Sequence, residues 1–295
     1  MSDNRTAADH LREIDTFLAP EDYLEPRCTL CGDPYGVTPE SRPVPQQRII
    51  AKMDDYMSRR DYDGAERHLL YWLEEALLGH DLRGELMLRG ELVGHYRKTG
   101  SRDKALPQIR ESLRLVRELG YEQSISGGTA YVNCATALEA FGEPARALQL
   151  FEKARAAYEA SDFTRSDLLG GLYNNMALTC TTLGRYDEAS GLYEKALGAM
   201  EGVQNGELEQ AITYLNMANT AEVEYGPESE EAQRRIDECL DRAETLLATP
   251  SVPRDGYYAF VCEKCAPTFS YYGRFLAAKE LREASERIYR GNQEG

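Results

Sequence analysis

The residues in this chain best suited to chemistry are seven cysteines, four histidines and a set of regularly spaced asparagines. Cys28-Thr-Leu-Cys31-Gly32 has the spacing at which two thiolates can grip one metal ion, with the glycine freeing the turn. A structural metal site needs two more ligands, and Cys262-Glu-Lys-Cys265 is the second pair at that spacing. His10, His68, His80 and His95 show no ligand-like spacing. No glycine-rich phosphate loop follows a strand, and no strand pattern is visible. The expectation is a chain without catalysis and without a cofactor or bound metal. A metal-dependent assembly factor built on Cys28 and Cys31 is kept as an alternative.

The asparagines are more regular. Asn133, Asn175 and Asn216 recur at spacings of 42 and 41 residues, and Glu91 and Lys264 fill the same place one unit to either side. Asparagine costs a helix interior up to about 0.7 kcal/mol relative to alanine. An amide offers both a donor and an acceptor, so it can pair with both polar groups of a peptide backbone. A column of them would hold an extended chain without reading its side chains. The opposing reading is that the amides bond to neighbouring helices or loops. Asn174 precedes Asn175, and Thr136, Leu178 and Asn219 lie three residues after the column, so the centre is neutral and polar. Glu91 and Lys264 could meet a ligand's charges. Tyr131, Tyr173 and Tyr214 stand two residues before the column, as inter-helix packing residues with wet hydroxyls.

The elements that must position this column are helical hairpins. Gly100, Gly142 and Gly184 fall 42 residues apart, each at the turn of one pattern. The first helix of each unit (helix A) ends at the glycine, and the second (helix B) begins just after it. Helix B carries Ala105, Ala147, Ala189 and Ala232. Then come Ile109, Phe151, Tyr193 and Ile236, followed by Ala154, Ala196 and Cys239. Small, large and small residues at i, i+4 and i+7 form one apolar helix face. An earlier unit shows Ala65, Leu69 and Trp72 at these places, and a later one places Gly273 at its turn and Ala278 on helix B. Six hairpins, or twelve helices, are expected over residues 46–290, with a tail at 291–295. Pro107 and Pro144 are expected in first turns of B helices, where a missing N–H costs little. Gly127-Gly128 and Gly170-Gly171 are expected to loosen the connections before helix A. Pro267 falls inside the last A helix, so the final hairpin is expected to be kinked or to act as a cap. The register puts Cys265 with Cys134, Met176 and Met217 at a core position, and Cys262 in the tyrosine column, which argues against a four-cysteine metal site.

Gly184-Arg-Tyr186-Asp-Glu-Ala189-Ser-Gly-Leu-Tyr193-Glu-Lys-Ala196-Leu resembles the tetratricopeptide repeat consensus, and the resemblance covers most of the chain. The period of 42 rather than the usual 34 gives each helix about one more turn and is similar to the long repeats of kinesin light chains. The resemblance implies an all-α, right-handed solenoid and a concave groove that binds peptide segments. Asparagines equivalent to Asn133, Asn175 and Asn216 hold peptide backbone in that family. The implied function is a non-enzymatic protein–protein interaction scaffold. The alternative is a regulatory peptide sensor whose superhelix changes on ligand binding.

Composition narrows the partners. With 34 basic and 50 acidic residues the net charge is −16, which disfavours nucleic acid. Residues 201–250 alone carry −9, so a basic partner is plausible on charge. No apolar run is long enough to span a membrane. The charged N-terminus is unlike a secretory signal, and a cytoplasmic protein with reduced thiols is expected. Residues 7–18 have a short amphipathic pattern. Residues 19–45 are rich in proline, so residues 1–45 form an arm. The arm is expected either in the protein's own groove or packed outside the first hairpin.

Overall fold

The computed structural model describes residues 41–161 and 164–291. Most of the N-terminal arm, with Cys28 and Cys31, lies outside them, as does nearly all of the tail. Twelve helices and no strand occur among the described residues. They are α1 (Gln46–Ser58), α2 (Tyr62–Leu78), α3 (Leu82–Lys98), α4 (Arg102–Glu118), α5 (Ile125–Ala140) and α6 (Pro144–Glu159), then α7 (Ser166–Thr182), α8 (Tyr186–Ala199), α9 (Gly206–Tyr225), α10 (Glu230–Ala248), α11 (Gly256–Tyr271) and α12 (Phe275–Gly291). No described helix is long and apolar enough to cross a membrane. The chain divides into two compact units within α3, the first ending at Leu88 and the second beginning at Arg89.

In the first unit, α1 packs on α2. Asp61 caps α2 by accepting from the Gly64 N–H at 2.8 Å. The arm's last residues are tied down beside the end of α2. The Arg42 N–H donates to the Gly79 carbonyl at 2.9 Å, and the Val44 N–H to Asp81 Oδ2 at 2.9 Å. The other Asp81 oxygen accepts from the Gly84 N–H in the first turn of α3, so one carboxylate serves the arm and the helix start. Arg60 occupies the hairpin-turn place held elsewhere by glycine, with φ of 56°.

In the second unit, α5 pairs with α6, α7 with α8, α9 with α10, and α11 with α12. Gly100, Gly142, Gly184, Gly226 and Gly273 all have φ between 69° and 85°. That left-handed turn closes each hairpin at no steric cost. Every member of the expected helix B face in this unit is buried, with Ala105, Ala147, Ala189 and Ala232 at 0% exposure. Alanine at these crossings lets the helix axes approach, and the residue between them fills the space: Phe151 and Tyr193 are fully buried.

Two expectations are corrected. Pro144 does open α6, but Pro107 lies in the second turn of α4, where its ring removes a helical hydrogen bond. The paired glycines close connections tightly rather than loosening them. A Cβ on Gly127 would sit 1.9 Å from the Tyr121 carbonyl oxygen, one on Gly128 2.4 Å from the Tyr158 ring, and one on Gly170 2.5 Å from Met200 Cε. Only Gly171 of the four faces open space. The last A helix runs through Pro267 as one helix from Gly256 to Tyr271.

Candidate functional site

The A helices of the second unit touch in series, α5 against α7, α7 against α9 and α9 against α11. Among the described residues, successive B helices form no such series. The side on which helices converge is the inner side of a curved stack, so the A helices form its inner wall.

This wall carries the asparagine column. Asn133 on α5 is exposed, Asn175 on α7 and Asn216 on α9 are half-buried, and Lys264 on α11 is exposed. Glu91 on α3 is half-buried, as is Asn174, and Asn219 is exposed. Asn216 Nδ2 donates to Asn174 Oδ1 at 3.1 Å, linking two repeats. The same register sets Asn133 against Gly90, where a Cβ would lie 3.7 Å from Asn133 Nδ2. Asn133 and Asn216 therefore each face the residue just before the column in the preceding repeat. At Asn133 that neighbour is a glycine and at Asn175 the register assigns Val132, whereas at Asn216 it is another amide. Asn216 spends one N–H on a neighbouring helix, as the second reading expects, and its side-chain carbonyl and second N–H remain outside that bond.

Threonines hold the wall from behind. Thr179 Oγ1 donates to the main-chain carbonyl of Asn175 at 3.0 Å, and Thr220 Oγ1 to the main-chain carbonyl of Asn216 at 3.0 Å. Thr220 Oγ1 also lies 2.9 Å from Thr181 Oγ1 and 3.0 Å from the Tyr193 hydroxyl, which reaches in from α8. This buried cluster fixes α7 and α9 at the level of the amides. Burial raises the Tyr193 hydroxyl above its ordinary range, so it stays protonated. Sequence reasoning missed these residues, although Thr179 and Thr220 each fall four residues after a column asparagine.

The tyrosine column packs between helices. Tyr131 is buried with Lys153 Nζ 5.8 Å from its ring centre, and Lys195 Nζ lies 5.7 Å from that of Tyr173. The Tyr173 hydroxyl donates to Glu159 at 3.2 Å. Cys262 and Cys265 are buried among Val261, Ala266, Phe269 and Leu281. Burial raises both thiols, Cys265 to about 12. They are core residues, as the repeat register expects. Among the described residues no three histidine, cysteine or acidic side chains come together as a metal site would require.

A family model for the tetratricopeptide repeat matches residues 85–160. Those residues carry tetratricopeptide repeats. No curated protein matches it in sequence. Among solved structures, BtubC (BKLC) from P. vanneervenii superposes with a TM-score of 0.50 at 20% identity, over 86% of this chain and 94% of that one. At that identity the likeness shows the repeat fold alone. A kinesin light chain of nearly identical TPR-like repeats from Podosopora anserina gives a TM-score of 0.48 at 16% identity, over 71% of this chain and 97% of that one. MamA gives 0.43 at 17% identity, over 70% of this chain and 97% of that one.

Proposed function

We propose that this tetratricopeptide-repeat chain is a non-enzymatic, cytoplasmic protein-interaction scaffold that holds an extended segment of a partner along its A-helix wall. Asn133, Asn175 and Asn216 make the backbone contacts, and Asn174 and Asn219 extend them. Glu91 and Lys264 stand at the two ends. The observation that carries this reading is the bond from Asn216 to Asn174. It orients two amides across adjacent repeats while leaving a carbonyl and several N–H groups for a bound backbone. Pre-orientation lowers the ordering cost of binding.

The arm is a poor occupant of the wall on charge grounds. Residues 1–45 carry nine acidic and four basic residues, and the A helices α5, α7, α9 and α11 carry seven acidic residues against one lysine. A partner in trans suits that wall better.

The test is a peptide selection. Extended peptides enriched from a random display library on the native chain are re-measured on Asn133→Ala/Asn175→Ala/Asn216→Ala. We expect affinity to fall at least about tenfold, or roughly 1.4 kcal/mol, with the melting temperature nearly unchanged. Undiminished binding would sink the reading. So would a large loss of stability, which would make the amides structural.

A further inference from the structure

The A-helix wall changes character at its C-terminal end. On α11 the residues at the column's register and one and two turns to either side are Tyr257, Phe260, Lys264, Pro267 and Tyr271. Their spacing of i, i+3, i+7, i+10 and i+14 keeps them on one helix face. Three of them are aromatic and open: Tyr257 is 37% exposed, Phe260 52% and Tyr271 69%. Val223 on α9, seven residues after Asn216, is 60% exposed. Apolar surface gathered on one face and rimmed by polar residues is what an interaction site presents.

Carboxylates frame these rings. The Tyr257 hydroxyl donates to Glu209, and the Tyr271 and Tyr272 hydroxyls donate to Glu222 at 3.0 and 3.1 Å. The Tyr272 hydroxyl also lies 3.0 Å from Asn219 Oδ1, which brings this end against the asparagine wall. Tyr257 and Phe260 stack, with ring centres 6.2 Å apart and planes 26° apart. The hydroxyls are engaged at the rim, so the ring faces are what a ligand would meet.

Charge selects that ligand. Helix α9 has four glutamates and no basic residue, and α11 has Lys264 against Glu263. The other basic residues of these hairpins lie on the B helices α10 and α12, apart from two in the connections: Arg254, which bonds the Leu247 and Thr249 carbonyls, and Arg274, which pairs with Asp237 and Asp241 on α10. Aromatic faces bordered by carboxylates attract a cation through the ring quadrupole and the anionic rim together. A planar guanidinium satisfies both, by stacking on a ring and bonding a carboxylate edge. The acidic arm and a second copy of this chain, at net charge −16, are both repelled from such a surface.

We propose that Tyr257, Phe260 and Tyr271, with Glu209 and Glu222, form a subsite for arginine side chains of a partner's extended segment. The proposal rests on the reading of the A-helix wall as a peptide-binding surface and specifies what its C-terminal end reads. Lys264 divides the subsite, so arginines are received on its two sides rather than at its centre.

The experiment uses the full chain and fluorescein-labelled peptides of equal length built from Gly-Ser-Arg, Gly-Ser-Lys, Gly-Ser-Glu or Gly-Ser-Thr repeats. The Arg peptide should bind most tightly, the Lys peptide more weakly, and the Glu and Thr peptides far more weakly still. Phe260→Ala/Tyr271→Ala and, separately, Glu209→Gln/Glu222→Gln should each weaken the Arg peptide about tenfold. Glu244→Gln/Glu280→Gln, with the same charge change on B helices, should leave it within about twofold. Failure of the Arg peptide to bind, or equal weakening by the B-helix variant, overturns the subsite. If the Asn133→Ala/Asn175→Ala/Asn216→Ala chain loses all peptides alike while the aromatic and glutamate variants lose none, the subsite fails and the backbone column stands. If the reverse pattern appears, the column fails and the subsite stands.

Discussion

Glycine has opposite consequences at different places in these repeats, and the reason is what lies beyond its missing Cβ. Gly127→Ala would drive a methyl into the Tyr121 carbonyl, which is backbone and cannot swing away. A loss of about 1–3 kcal/mol is expected from overpacking. Gly171→Ala meets nothing within 4 Å and lies inside α7, so it should gain up to about 1 kcal/mol from helix propensity. Arg60 is the converse: a side chain held at φ of 56° where the other hairpins use glycine. Arg60→Gly should stabilise by roughly 1 kcal/mol. Denaturant melts of the three variants test all three signs. The thiols add a further expectation at this scale. Burial holds Cys134 and Cys265 up at about 12 and raises Cys180, Cys239 and Cys262. At pH 8 these five should resist iodoacetamide in the native chain and react in urea. Mapping of labelled peptides by mass spectrometry would expose an error at any one of them.

At the scale of the element, the hairpin was legible because its signals are local. Apolar residues at helical spacing, a glycine at each turn and an alanine at each crossing recur often enough to fix the register of α4, α6, α8 and α10. Prolines were harder to place, because a helix start is uncertain by a few residues and the cost of proline changes within one turn. Pro107 is exposed inside α4, so it contributes little packing while removing one backbone bond. Pro107→Ala should therefore raise stability by about 1–3 kcal/mol, read as a higher melting temperature. No gain would mean that the proline's rigidity in the unfolded chain compensates the missing bond.

For the whole molecule, buried tyrosines link folding to pH. Burial raises the hydroxyls of Tyr158, Tyr193 and Tyr258, the last to about 12. A folded-state value above the unfolded one, near 10, stabilises the fold below pH 10 and is lost as pH rises towards 12. The melting temperature should be flat from pH 7 to about 8, fall from about 9 as the buried thiols lose their contribution, and fall more steeply above about 10 as the hydroxyls lose theirs. A flat profile through pH 11.5 would contradict the burial of these hydroxyls. The sequence by itself determined the period, the hairpins, the buried helix B face, the asparagine column and the core position of Cys265. Each depends on spacing along one chain, and helical geometry converts spacing into a face without further information. Tertiary structure alone decided which residue each amide meets, since that depends on how one repeat is offset against the next. The offset brings Asn216 to Asn174 and Asn133 to Gly90. It also joins Thr181, Thr220 and Tyr193 from three helices, and sets the α11 rings against Glu209 and Glu222. The spacing located the inner wall, and the offset between repeats gave its two ends different chemistry.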